Sequence, residues 1–132
     1  MGLNYLGEME FQKLTYIDNG VPSLSIGGFT NGVRVVDMQS YSTLANGGVY
    51  NDQTCIRRID HEHNGELTKN LKAHSQVVYQ QDSAYMLTDI LKGTLTEAYG
   101  TGYGLALEND MPAAGKTGTT NSSKDTWFCG YT

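Results

Sequence analysis

Mostly apolar residues recur at helical spacing in two stretches of the chain, and a third stretch shows a weaker helical pattern. The first stretch covers residues 35–46, where Asn46-Gly47-Gly48 predicts a left-handed stop. The second covers residues 83–96, with Asp82 or Ser83 as its cap. The weak stretch covers residues 4–12. The positions at helical spacing are Val35, Met38, Tyr41, Ser42 and Ala45 in the first stretch, and Ala84, Leu87, Ile90, Leu91 and Leu95, a predicted buried stripe, in the second. The apolar positions of the weak stretch are Leu6, Met9 and Phe11.

Two further patterns are typical of antiparallel strand pairs. Residues 54–60 and 66–69 flank Asn64-Gly65, a strong signal for a two-residue hairpin turn. Residues 113–120 and 126–131 form the second pair, joined by a turn at 121–124. In its second strand Trp127, Cys129 and Tyr131 alternate with Phe128 and Gly130, so they are expected on opposite faces.

The segments between these elements are rich in turn residues. Residues 18–32 are predicted to be a long turn-rich loop, and residues 100–104 a flexible glycine loop. Helices combined with antiparallel strands indicate an α/β fold of the α+β type. The chain ends inside the last predicted strand, so residues 1–132 are expected to form an incomplete domain.

Charge and hydropathy argue against a nucleic-acid partner and against a membrane-spanning segment. The net charge is −5, from 14 acidic and 9 basic residues, and no stretch concentrates lysine or arginine. Because nucleic-acid binding depends on such a basic patch, no nucleic-acid partner is expected. The longest apolar run is too short to cross a bilayer, and the N-terminus lacks the features of a signal peptide.

The cysteines and histidines do not form a metal-binding pattern in the sequence. Cys55 and Cys129 are interpreted as half-buried thiols, and a disulfide between them is left open. His61 and His63 share a strand face, but without a third ligand they are interpreted as polar residues beside a turn. His74 is assigned no role. No metal and no cofactor are therefore predicted.

A Gly-Lys-Thr sequence at 115–117 is the most informative motif. A phosphate-binding loop requires glycine five residues before the Gly-Lys pair, and that position holds Asp110, whose charge would repel phosphate. A nucleotide-binding protein is therefore the weakest of three hypotheses. The motif also matches the Lys-Thr-Gly of serine transpeptidases and β-lactamases.

The chemistry of that second match fits an extended strand. Alternation places Lys116, Gly118 and Thr120 on one face, and Thr117 and Thr119 on the other. A lysine ammonium can hold a substrate carboxylate or favour deprotonation of a neighbouring hydroxyl. Because Gly118 has no side chain, a helix that carries a nucleophile can pack against its face.

Three longer segments resemble class A penicillin-binding proteins. Residues 22–51 (PSLSIGGFTNGVRVVDMQSYSTLANGGVYN) resemble the segment between the family's second and third active-site motifs. Residues 83–102 (SAYMLTDILKGTLTEAYGTG) resemble the following helix and glycine loop, and residues 112–132 the third motif with its partner strand. The resemblance implies part of a serine β-lactamase/transpeptidase-like fold, at the extracytoplasmic face of the bacterial membrane.

The resemblance also implies roles for the motif residues. Lys116 would be the catalytic residue of this segment, and Thr117, Gly118 and Thr119 would bind substrate. The substrates would be peptidoglycan stem peptides ending in D-alanyl-D-alanine, and β-lactams would occupy the same place. The Thr119 N–H would donate to the oxyanion, whereas Trp127 is expected to serve packing.

The chain departs from the family pattern because it contains neither Ser-x-x-Lys nor Ser-x-Asn. Both motifs are expected upstream, in a missing N-terminal half that would be its partner. The chain alone is therefore predicted to be inactive and only marginally stable. The alternative is a nucleophile-free binding or regulatory module for cell-wall peptides or a partner protein. A smaller departure is Val35, where many relatives carry proline.

Overall fold

A computed structural model of the protein describes residues 2–53, 56, 59–60, 67–68, 74–105 and 107–132. The α-helices are α1 (Gly2–Glu8), α2 (Val35–Met38), α3 (Ser42–Ala45) and α4 (Gln81–Thr96). The strands are β1 (Val49–Asn51), β2 (Ile59–Asp60), β3 (Leu67–Thr68), β4 (Ser75–Val77), β5 (Ala114–Thr119) and β6 (Thr126–Tyr131). Short 3-10 helices occupy Tyr16–Gly20, Pro22–Ile26, Gln39–Tyr41, Glu108–Asp110 and Asn121–Ser123.

The strands pair antiparallel as β1–β4, β2–β3 and β5–β6. This mixture of helices with antiparallel pairs confirms the predicted α+β class. The first hairpin is confirmed where Ile59 pairs with Thr68 and Asp60 with Leu67, whereas its Asn64-Gly65 turn lies outside the described residues. Within the described part of the chain, no helix has the length and apolarity needed to cross a membrane.

A core near the N-terminus joins α1 to the β1–β4 pair. We call its buried members the N-terminal core; they are Met9, Phe11, Tyr50 and Val78. Helix α1 ends before Met9, and the Phe11 N–H donates to the Leu6 carbonyl at 3.1 Å. This bond turns the chain back and buries Met9 and Phe11, which therefore follow the helix and do not belong to it as the predicted helix over 4–12 had them.

The predicted helix over residues 35–46 is a series of helical turns, with a 3-10 turn between α2 and α3. The residues at helical spacing do not form a buried face, because Val35 is 68% exposed and Ala45 is exposed as well. The buried residues are instead Asp37 and Thr43. Asp37 is stabilised by Arg34, which donates to its carboxylate from the backbone at 2.8 Å and from Nη2 at 2.5 Å. These bonds lower the pKa of Asp37.

The glycine stop after α3 is confirmed. Gly47 and Gly48 have φ angles of 63° and 96°. A Cβ at Gly48 would overlap the carbonyl of Tyr79, and the Gly48 carbonyl accepts hydrogen bonds from Val78 and Tyr79. Glycine is therefore required where the chain enters β1 against the residues that follow β4.

Helix α4 begins at Gln81, so the predicted cap at Asp82 or Ser83 is wrong; Gln80 is the N-cap residue. Asp82 lies in the first turn, where a negative charge is favourable. Of the predicted stripe, Ala84, Leu91 and Leu95 are buried. Two other members and a neighbour form an exposed surface, which we call the α4 outer patch: Met86 (64% exposed), Leu87 (42%) and Ile90 (71%).

Candidate active site

Strand β5 carries the predicted site and pairs with β6 along its whole length. Lys116 lies opposite Cys129, Thr117 opposite Phe128, and Gly118 opposite Trp127. Since cross-strand neighbours share a face, the pair has two distinct sides. The lysine face comprises Lys116, Gly118, Cys129 and Trp127. The threonine face comprises Thr117, Thr119 and Phe128.

Two glycines on the threonine face lie beneath the Phe128 ring. A Cβ at Gly115 would come within 2.5 Å of Phe128 Cζ, and one at Gly130 within 2.5 Å of Cε1. Gly115 and Gly130 are themselves cross-strand partners. The aromatic ring thus covers a side-chain-free stretch of both strands, an arrangement that fixes strand register.

The lysine face is open around Gly118. An added Cβ at Gly118 would have Trp127 Cβ, 4.0 Å away, as its nearest neighbour. Lys116 is exposed, and its ammonium donates to the carbonyl of Thr117 at 2.5 Å. Among the described residues no carboxylate pairs with this ammonium. The cation is therefore available to an anionic group that approaches over Gly118.

The hydroxyl of Thr117 is held by the loop after α4. Thr101 Oγ1 and Thr117 Oγ1 lie 2.6 Å apart and form a hydrogen bond. The loop is fixed to the helix because the Gly102 N–H donates to the Thr94 carbonyl at 2.9 Å. The glycine loop predicted to be flexible is thus hydrogen-bonded to α4. Thr101 is a site neighbour that sequence reasoning missed, although a threonine between two glycines was its signal.

Two contacts hold β6 against the helices. Thr88 Oγ1 on α4 and Tyr131 Oη lie 2.9 Å apart. Cys129 Sγ lies 3.8 Å from Met38 Sδ on α2, and burial raises the pKa of the Cys129 thiol. Cys129 has a free thiol and is half-buried, as expected, while Cys55 lies outside the described residues. A thiol with a raised pKa is a poor nucleophile, so the position serves packing.

The turn beyond β5 modifies one detail of the predicted strand. Alternation predicts Thr120 on the lysine face, but β5 ends at Thr119. Thr120 belongs to the turn, where the Asp125 N–H donates to its hydroxyl at 2.9 Å. This bond and the positive φ angles of Ser122 and Ser123 (63° and 52°) produce the tight reversal predicted at 121–124.

The sequence matches known proteins over most of its length. The family model for the penicillin-binding protein transpeptidase domain matches residues 11–132. Penicillin-binding protein 1A of Clostridium acetobutylicum is 35% identical over 114 residues, 86% of this chain. Penicillin-binding protein 1B of Vibrio cholerae is 37% identical over 111 residues, 83% of the chain. Penicillin-binding protein 4 of Bacillus subtilis is 30% identical over 134 aligned positions, 98% of the chain.

The matched region is a small part of each relative. It spans 14% of the first two proteins and 20% of the third. The match includes β5, β6 and the loop that holds Thr117, so the Lys-Thr-Gly strand lies inside the family region. The fold, the motif and the extent of the match agree: the chain belongs to the penicillin-binding protein transpeptidase family and is a fragment of its transpeptidase domain.

Proposed function

We propose that this chain is the carboxylate-binding part of a serine-type D-alanyl-D-alanine transpeptidase domain. The observation that carries the proposal is the geometry of β5, where an exposed Lys116 stands beside the open surface of Gly118. Thr117, next to that lysine, is already oriented by Thr101. On the lysine face, a cation beside free space suits a substrate that ends in a carboxylate, and Thr117 presents its fixed hydroxyl from the neighbouring position on the other face.

The proposed reaction proceeds through an acyl-serine. A serine hydroxyl attacks the carbonyl carbon between the two D-alanines, its proton passes to the leaving amine, and the terminal D-alanine departs. The amine of a second stem peptide then attacks the acyl carbon, the ester bond to the serine breaks, and the proton of the amine passes to the serine oxygen. Lys116 stabilises the substrate carboxylate and favours serine deprotonation, and the Thr119 N–H donates to the oxyanion.

The nucleophile of this reaction must come from outside the chain. No serine here is followed by lysine three residues later. We therefore propose that the isolated chain neither transfers acyl groups nor reacts covalently with β-lactams, although the complete domain does both. We place that domain at the extracytoplasmic face of the bacterial membrane, as the resemblance implies.

Exposed apolar surface supports an incomplete domain. The α4 outer patch is exposed, as are Trp127 (43%) and Phe128 (51%) on β6. Such patches mark surfaces that a partner covers. We propose that the nucleophile-bearing part of the domain covers them.

A chimera tests the role of Lys116. The matching segment of Clostridium acetobutylicum penicillin-binding protein 1A is replaced by this chain, and acylation by a fluorescent penicillin is followed over time. We expect labelling, and a decrease in its rate of about a hundredfold or more in Lys116→Ala. Lys124→Ala, which removes a lysine from the turn after β5, is the matched control and should label normally.

Two outcomes would contradict the proposal. Equal labelling of Lys116→Ala and Lys124→Ala would remove Lys116 from the site. The second outcome combines two results. The chimera does not label, and the isolated chain binds a D-alanyl-D-alanine peptide at millimolar concentration in a way that Lys116→Ala abolishes. This outcome would favour a nucleophile-free binding module.

A further inference from the structure

Three potential metal ligands from distant parts of the sequence meet at one end of the β1–β4 pair. They are Glu10, Asp52 and His74, and one ligand atom from each lies within 4.8 Å of the others. None belongs to β5, β6 or α4. The cluster therefore shares no residue with the Lys-Thr-Gly strand, its partner strand or α4.

Backbone geometry brings Asp52 and His74 together. The last ladder pair is Asn51 with Ser75, so Asp52 and His74 form the next opposed pair. The Asp52 N–H donates to the His74 carbonyl at 2.9 Å. The His74 N–H donates to Asp52 Oδ2 at 2.8 Å. The Asp52 carboxylate is thus held against the backbone of His74, whose side chain supplies the other ligand.

Glu10 lies in the turn that follows α1 and contributes the third side chain of the cluster. Its N–H donates to the Gly7 carbonyl at 3.0 Å, and its φ angle is 59°. This left-handed position after a helix usually holds glycine. A glutamate here adds a carboxylate to the cluster although glycine would suit the backbone better.

A buried oxygen in this cluster lacks a partner. Asp52 Oδ1 is buried and accepts no hydrogen bond from any described residue, whereas Oδ2 accepts one from the backbone N–H of His74. Leaving a buried carboxylate oxygen unpaired is unfavourable. The nearby carboxylate of Glu10 makes it worse, because like charges repel. A cation between the three side chains would satisfy Oδ1 and remove the repulsion.

We propose that Glu10, Asp52 and His74 bind one divalent transition-metal cation, with Zn²⁺ as the best fit. Two carboxylates and a neutral imidazole balance the charge of the cation. An imidazole ligand favours Zn²⁺ over Mg²⁺ or Ca²⁺, which prefer oxygen atoms only. Bonds of about 2.1 Å place tetrahedral ligands about 3.4 Å apart. The side chains must therefore close by at most about 1.4 Å, and the exposed Glu10 and His74 can move.

The bound cation would tie the end of α1 to the β1–β4 pair beside the N-terminal core. Asp52 directly follows β1, which contains the core residue Tyr50. A ligand that binds the folded state alone stabilises it by mass action. The cation would therefore stabilise the folded chain, and a water molecule would complete its four ligands.

Calorimetric titration of Zn²⁺ into the metal-free 132-residue chain tests the proposal. We expect one cation per chain and an increase in melting temperature on binding. Asp52→Asn and His74→Gln should each lower the affinity by about tenfold to a hundredfold or more. Co²⁺ in place of Zn²⁺ should give the visible absorption bands of a four-coordinate site, and both variants should lose them.

Matched variants separate this site from other binding. Glu8→Gln removes an exposed carboxylate near α1's end and should leave the affinity within twofold. The double variant His61→Gln/His63→Gln removes the other two histidines and should also bind normally. Far-UV circular dichroism of each metal-free variant checks that the fold is retained. Absence of Zn²⁺ binding, binding that survives His74→Gln, or binding lost with His61 and His63 would overturn the proposal.

Discussion

The N-terminal core and the β5–β6 pair differ in how far this chain covers its own apolar side chains. In the core, Met9, Phe11, Tyr50 and Val78 are all at least 92% buried. On β6, Trp127 and Phe128 remain 43% and 51% exposed. Because apolar burial is the main stabilising term in folding, the stability of the isolated chain should reside in the core. The site region should depend on what covers it.

The largest effect is expected from Phe11→Ala. Truncating a buried phenylalanine destabilises a protein by about 3–5 kcal/mol, which is a large part of the stability of a small domain. Urea unfolding followed by circular dichroism should therefore show loss of the folded state. Ile26→Ala, at a position that is 87% exposed, should change the free energy of unfolding by less than about 0.5 kcal/mol. Equal changes in the free energy of unfolding for Phe11→Ala and Ile26→Ala would show that the N-terminal core does not dominate the stability of the chain.

Gly48→Ala tests the glycine that enters β1. A left-handed φ angle costs an alanine about 1–2 kcal/mol, and overlap with the Tyr79 carbonyl adds about 1–3 kcal/mol. Gly27→Ala is the matched control, since its φ angle of 89° is similar but nothing lies within 4 Å of an added Cβ. It should lose only the first contribution. Thermal melts of both variants measure the difference, and equal melting temperatures would refute the packing argument.

The buried Asp18 makes the stability of the chain sensitive to acid. Hydrogen bonds from the backbone of Thr30 and Thr15 lower its pKa from 3.8 to about 2. Because the folded-state pKa is lower than the unfolded one, this stabilisation is complete above about pH 4. It is lost as the pH falls through 2. Stability measured between pH 5 and 2 should fall less steeply in Asp18→Asn, and parallel curves would contradict the assignment.

The link between the loop and the site should have a smaller effect. Thr101→Val removes the hydrogen bond to Thr117 and should destabilise by about 0.5–1.5 kcal/mol. In the penicillin-labelling chimera it should also slow acylation, because Thr117 loses its orientation. Thr96→Val is the control, since the Thr96 hydroxyl donates to the Lys92 carbonyl of its own helix. An acylation rate unchanged in Thr101→Val would show that the link has no part in positioning.

Local sequence patterns predicted the β5–β6 pair more accurately than they predicted contacts between distant segments. Its alternation and its turn lie within 18 consecutive residues, from Ala114 to Tyr131, so sequence spacing determines which side chains share a face. The Thr101–Thr117 bond and the cluster at Asp52 and His74 depend on how separate segments pack. His74 received no role because no spacing relates it to Glu10. Such juxtapositions become visible only in the folded chain.

The burial of α4 shows the same limit and provides the last prediction. Helical spacing predicted Leu91 and Ile90 on one buried stripe, but Leu91 is 9% exposed and Ile90 71% exposed. Ile90→Glu should therefore change the stability of the isolated chain by less than about 0.5 kcal/mol. Leu91→Glu, one position later, buries a charge and should unfold it.

Ile90→Glu in the penicillin-labelling chimera tests whether the rest of the domain covers the α4 outer patch. If the rest of the domain packs on the α4 outer patch, Ile90→Glu should abolish penicillin labelling in the chimera while leaving the isolated chain folded. Buried interfaces tolerate an unpaired charge poorly, because nothing replaces its lost hydration. Full labelling of Ile90→Glu would show that the patch stays exposed in the complete domain. The exposure of the α4 outer patch would then be a property of the family fold and not the result of a missing cover.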